Sequence, residues 1–174
     1  MIYLNKILFA LFISVCAAQA LAQNQTPRSD LSKERQEYFA NLEKFKKSGR
    51  AAYSTEERRE KLGDCPNAMT TLAINDCLSK EVQITTSNYK AYIGALRSVE
   101  NLVDPDDSAT TSEHALKQFD AAESAWNKYY EAQCSAAYDA YSPGTIAPSM
   151  ELTCQLQLMR DRMHELEAIY QFMH

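Results

Sequence analysis

A chain of 174 residues, 45% of them hydrophobic, has room for one compact domain. Only 4 Gly and 5 Pro argue against a many-turned sandwich or barrel, and 24% charged residues suits a soluble helical protein. The net charge of −5, from 18 Lys+Arg against 23 Asp+Glu, excludes a simple nucleic-acid binder, which needs a basic surface to neutralise phosphates.

Residues 1–22 place Lys6 before an apolar run from Ile7 to Ala18 and end on Ala20-Leu21-Ala22. This is the pattern of a secretory signal peptide cleaved after Ala22, and a periplasmic or secreted location is expected from it. The apolar run is shorter than the ~20 residues a bilayer span needs, so no stable span is expected once the leader is gone. Cys16 raises the alternative of lipidation, but Val15 is bulky where that processing wants a small residue, and Cys16 is expected to leave with the leader. The mature chain keeps 152 residues, with 17 Lys+Arg against 23 Asp+Glu, and a net charge of −6. Four cysteines remain: Cys65, Cys77, Cys134 and Cys154. An even number in an exported chain predicts two disulfides. Their spacings contain no Cys-x-x-Cys knuckle and no neighbouring His pair, so no structural zinc, and no other metal or cofactor, is expected.

Residues 23–64 read as a polar, partly helical N-terminal segment. Gln23 to Ser29 is a flexible lead-in. From Asp30, a helix cap, Leu31, Arg35, Tyr38, Leu42 and Phe45 recur at helical steps, with Gly49 beyond them. Ser54 and Glu57 form a capping-box pattern for a second, very polar helical piece that ends near Gly63. Large apolar side chains are scarce between Ala51 and Asp64, so this stretch is expected to be peripheral and mobile.

Residues 65–174 carry the stronger periodicity and read as one helical domain. Thr70 or Thr71 can cap a helix on which Leu78, Val82, Thr85, Tyr89, Tyr92, Leu96, Val99 and Val103 step by 4 and 3, and Asp104-Pro105-Asp106-Asp107 stops it. A second helix is expected from about Ser112 to Tyr138, with Leu116, Phe119, Ala122, Trp126 and Tyr129 on one side. Pro143-Gly144 forces a turn. The last helix starts near Pro148-Ser149 and carries Leu152, Leu156, Met159, Met163, Leu166, Tyr170 and Met173. Nothing alternates with period two for the length of a strand, and no internal repeat is present. The fold expected is all-α: a disulfide-stapled antiparallel bundle of three long helices with a short N-terminal helical segment. The cysteines gather at one end of such a bundle. Both Cys65–Cys77 with Cys134–Cys154 and Cys77–Cys134 with Cys65–Cys154 fit that arrangement.

The segment from Cys65 to Cys77, with Ala68, Thr70 and Asn75 between, resembles the Cys-x-x-Ala-x-Thr-Gln-x-Glu-Met-Asn-x-Cys opening of the LprI-like lysozyme-inhibitor family of bacterial exported proteins. Trp126, Tyr129 and Cys134 are similar to that family's Trp-x-x-Tyr-Arg-Asp-x-x-Cys. Cys154 followed by Leu158, Arg162 and Leu166 resembles its closing Cys-x3-Leu-x3-Arg-x3-Leu. Among the departures from the pattern, Tyr130 replaces an Arg, Glu123 a Gln, and Thr86 and Lys90 an Asp and an Asn. The resemblance covers Cys65 to about Ile169. It implies a non-enzymatic exported protein whose partner is a lysozyme, with Trp126, Tyr129, Leu158, Arg162 and Leu166 as its scaffold.

The residues themselves display no phosphate loop, no Gly-x-Ser-x-Gly and no His-Glu-x-x-His. His164 beside Glu165 is expected to be a solvated helix position, and paired cysteines leave no thiol nucleophile. An enzyme acting on wall fragments would have to draw on Glu123, Glu131 or His164. Trp126 and Tyr129 are expected to pack into the bundle, with Tyr130 at its rim. Met150, Met159, Met163 and Met173 could suit Cu(I), but their spacing puts most of them on the core stripe. Asp104, Asp106, Asp107 and Glu113 form an acidic end that could dock a basic partner, and Tyr130 joins them as a partner-binding candidate. The expected function is therefore a binding protein that occludes the glycan cleft of a basic lysozyme. The alternative is a periplasmic envelope scaffold or stress-associated interaction domain with no effect on lysozyme.

Overall fold

A computed structural model of the protein describes residues 28–106 and 109–171. The expected leader, Asp107 and Met173 lie outside the described residues. Among the described residues, four helices and no strand are found: α1 (Arg28–Leu62), α2 (Thr71–Glu100), α3 (Ala109–Tyr141) and α4 (Ala147–Tyr170). Contacts divide the chain between Glu37 and Tyr38. Ahead of that point, Ser32–Glu37 is an exposed stretch of helix in which Lys33 and Glu37 lie 4.0 Å apart.

From Tyr38 onward the architecture is an all-α bundle. The cross-helix partners give its register. Glu56 meets Thr85 and Asn88 while Tyr53 meets Tyr92, so α1 runs antiparallel to α2. Tyr89 meets Glu123 and Arg97 meets Asp120, so α2 and α3 are antiparallel. Glu123 meets Arg162 and Phe119 meets Tyr170, so α3 and α4 are antiparallel. The α2 stripe forms as its spacing predicts, with Leu78, Thr85, Tyr89, Tyr92 and Leu96 buried. Val103 is exposed, because α2 ends at Glu100 and Asn101 caps it by donating its backbone N–H to the Arg97 carbonyl. Thr70 supplies the N-cap: its hydroxyl accepts from the Ala73 N–H at 3.2 Å.

α4 packs against both α2 and α3. Its Leu156, Met159, Met163 and Leu166 are buried, so Met159 and Met163 are core side chains. The turn before it needs Gly144, where a Cβ would stand 2.8 Å from the Tyr141 carbonyl oxygen. Cys65 bonds Cys77 and Cys134 bonds Cys154, which selects one of the two pairings. Each bridge closes a short loop, of 12 and 20 residues. Asn75 and Ser149 hydrogen-bond across the same end of the bundle.

Three expectations are corrected. The two N-terminal helical pieces are one 35-residue helix that passes through Gly49 without a break. The stretch from Ala51 to Asp64 is not peripheral: Ala52 belongs to the core and Glu56 is buried, because the inward side of α1 is built from small and charged residues that hydropathy passes over. On α3 the inward line is Phe119, Glu123, Trp126, Tyr130 and Cys134, so Ala122 and Tyr129, expected inside, face outward. The helix is rotated from the expected phase because Glu123 is paired and turns inward.

Candidate functional site

Two charged stations hold the bundle, both built on α4. At the first, Arg160 donates Nε–H to Glu56 Oε1 at 2.8 Å and grips Asp64 with both terminal nitrogens, at 2.6 and 2.9 Å. Glu56 also accepts from the Thr85 hydroxyl at 2.7 Å and from Asn88 Nδ2 at 2.8 Å. Burial alone would push the Glu56 carboxyl up. The hydrogen bonds from Asn88, Thr85 and Arg160, with the charge of Arg160, outweigh it and hold the group below the ordinary glutamate range. Arg59 pairs with Glu81 and approaches Glu56 at 3.6 Å, completing a cluster shared by α1, α2, α4 and the α1–α2 connection.

At the second station, Arg162 donates from Nε and a terminal nitrogen to Glu123 Oε1, at 3.1 and 2.6 Å, and from its other nitrogen to Glu165 at 2.6 Å. The Tyr89 hydroxyl donates to Glu123 Oε2 at 2.8 Å. Burial first, and then the Glu123 charge, push the Tyr89 hydroxyl well up, so it stays a protonated donor. Tyr92 does the same for Glu167 at 2.9 Å. The ring of Trp126 stacks between Tyr89, at 5.0 Å, and Tyr130, at 5.2 Å.

The sequence candidates separate accordingly. Trp126 and Tyr130 are half-buried against the core, and Leu166 is buried within it. Tyr129 is 53% exposed and, with the half-buried Leu158, lines an open groove between α3 and α4 that also includes Gln133, Gln157 and Asp161. Asp104 accepts from the Asp106 N–H at 2.9 Å, which joins these two acids in one turn. Asp107 lies outside the described residues, and Glu113 is exposed on α3. Tyr130 is 17 residues further along the same helix, about 25 Å away at 1.5 Å per residue, so the structure does not gather Tyr130 with the acids.

His164 is exposed on α4 and bridges Glu60, at 2.9 Å, and Tyr53, at 3.3 Å, both on α1. Among the departures from the family pattern, Lys90 is exposed and the Thr86 hydroxyl points to the Met159 sulfur at 3.6 Å. The Glu56–Arg160–Asp64 cluster had one signal in the sequence. Thr85 interrupts an apolar stripe, and a polar residue facing inward requires a polar partner opposite it.

Among the described residues no group of three or more metal-ligating side chains exists, and no helix is long and apolar enough to cross a membrane. The carboxylates buried in this bundle are each committed to a cation and a hydroxyl or amide donor. The family model described as lysozyme inhibitor LprI matches residues 63–166. No curated protein and no solved structure matches the chain.

Proposed function

Because the chain belongs to the lysozyme inhibitor LprI family, we propose that it is an exported binding protein that inhibits lysozyme by covering the glycan-binding cleft. Family membership over residues 63–166 is the observation that carries this reading. The scaffold is consistent with it. Two disulfides and two buried charge stations fix the helices before any partner arrives, which lowers the ordering cost of association. The acidic balance of the chain would steer it toward a basic enzyme. Export follows from the leader pattern of residues 1–22.

The purified mature protein should slow lysozyme's clearing of a cell-wall suspension at a near-stoichiometric ratio. Unaltered clearing at large molar excess and low salt would reject the reading. A second reading, an envelope scaffold or stress-associated interaction domain, is favoured by the polar positions at which this chain leaves the family pattern: Thr86, Lys90, Glu123 and Tyr130. It predicts a specific non-lysozyme partner on pull-down from periplasm together with an inactive clearing assay. Replacing Tyr130 by Arg, the family residue, tests whether that position separates the two readings.

A further inference from the structure

We propose that the stretch from Leu62 to Leu72, joining α1 to α2, is the element that enters the partner's cleft, with Met69 and Leu72 as its apolar anchors; the proposal rests on the lysozyme-binding reading above. Among the described residues, the three most exposed large apolar side chains all fall in these eleven positions: Met69 at 89%, Leu62 at 76% and Leu72 at 71%. Large apolar side chains concentrated in one exposed stretch mark an interaction surface, and methionine is enriched at protein interfaces.

The stretch is tied to the bundle at several points. Gly63, at φ +75°, donates its N–H to the Glu60 carbonyl at 3.0 Å and turns the chain out of α1. The next residue, Asp64, is gripped by Arg160 at 2.6 and 2.9 Å. Cys65 is tied to Cys77, the Ala68 N–H returns to the Cys65 carbonyl at 3.1 Å, and Thr70 caps α2. Leu62 and Leu72 themselves sit on helical turns, and Met69 lies between the turn and the cap. Binding would therefore order little that is not already ordered.

Charge decides between this end of the molecule and the acidic one. From Cys65 to Asn75 the chain carries no charged residue, and Asp64 is neutralised by Arg160. A glycan-cleaving cleft holds a pair of carboxyl groups, and in the lysozyme type one of them lies in an apolar pocket. An uncharged, apolar insert meets no like-charge repulsion there, whereas the Asp104–Asp106 turn would. The acidic surface elsewhere is suited to the basic exterior of the enzyme. Approach and insertion are thus divided between different parts of the molecule.

Met69→Asp and Leu72→Asp in the full mature protein should each weaken lysozyme inhibition at least about tenfold. Met69→Leu and a distant control at another exposed apolar position, Ile169→Asp, should stay within about twofold of the parent. Unchanged circular dichroism and melting are expected, because these side chains are exposed. Peroxide footprinting supplies a readout without substitution: saturating lysozyme should slow sulfoxide formation at Met69 while the buried Met159 and Met163 stay unreactive with or without it. If the Asp variants inhibit like the parent, or Met69 oxidises equally fast in the saturated complex, the assignment to this loop is overturned while inhibition itself stands. If the parent protein fails to inhibit at large excess, both the loop assignment and the underlying reading fall.

Discussion

Arg160 and Arg162 stand two residues apart on α4, about 200° around the helix from one another, and reach opposite flanks of the bundle. Arg160 serves α1 and the connection after it; Arg162 serves α3. The two stations look alike in composition and differ in what surrounds the charges. At Arg160 the Glu56 carboxylate has three hydrogen-bond donors from two helices, α2 and α4, and its neighbour Asp64 is held by both terminal nitrogens. At Arg162 the second acid, Glu165, is 60% exposed and sits three residues along the same helix. The lesson concerns dependence: a buried pair adds little net stability over a well-packed apolar substitute, but losing one member strands the other. The more enclosed station strands more.

The contrast between the stations is open to direct measurement. The largest effect is expected for Arg160→Ala, which takes the guanidinium away from both the buried Glu56 and the partly buried Asp64; urea unfolding should show a loss of about 3–5 kcal/mol. Arg162→Ala should cost less, about 2–3 kcal/mol, because it strands one enclosed acid, Glu123, whereas Glu165, 60% exposed, can turn to solvent. Equal losses in the two variants would erase the distinction. Glu123→Gln, which restores the family residue, should be milder still, at about 1 kcal/mol. The amide oxygen can go on accepting from Tyr89, and Arg162 keeps Glu165. A double-mutant cycle between positions 123 and 162 reads the coupling directly.

The smallest and most local effect concerns acid. The Glu56 carboxyl lies below its ordinary range in the folded protein, so its contribution is fully present above that range and disappears as the pH falls through the folded value. Amide exchange in the Ala51–Glu60 part of α1 should therefore accelerate at acid pH before exchange in α3 does. In Glu56→Gln that pH dependence should flatten. Parallel acceleration in both helices would show that the acid response is not seated at Glu56.

What could be read from the sequence follows the chemistry of the inward faces. The stripes of α2 and α4 were legible because Leu78, Tyr92, Leu96, Leu156 and Leu166 are apolar and spaced for a helix. α3 was read about one position out of phase, since Glu123 counts as a surface residue until Arg162 and Tyr89 are known to face it. α1 was underestimated for the same reason: its buried contributions are Ala52 and Glu56. Gly49 read as a stop, yet it is buried in an unbroken helix. Disulfide pairing needed the structure, because all four cysteines lie at one end and spacing alone allows two solutions. Met69 and Leu72 left a weaker trace. Neither falls on the α2 stripe, and the run from Cys65 to Asn75 carries no charged residue.

The continuity of α1 bears on where this protein can be cut. The stretch shared with the family begins at Gly63, but Thr85, Asn88 and Arg160, all inside that stretch, turn toward Glu56, which lies outside it. A polypeptide started at Gly63 would carry both disulfides and every family motif while leaving a buried guanidinium without its glutamate. Heredity and foldability draw different borders here, and a laboratory version trimmed to the inherited border should come out of the cell aggregated or loosely packed, whereas one begun near Tyr38 should not.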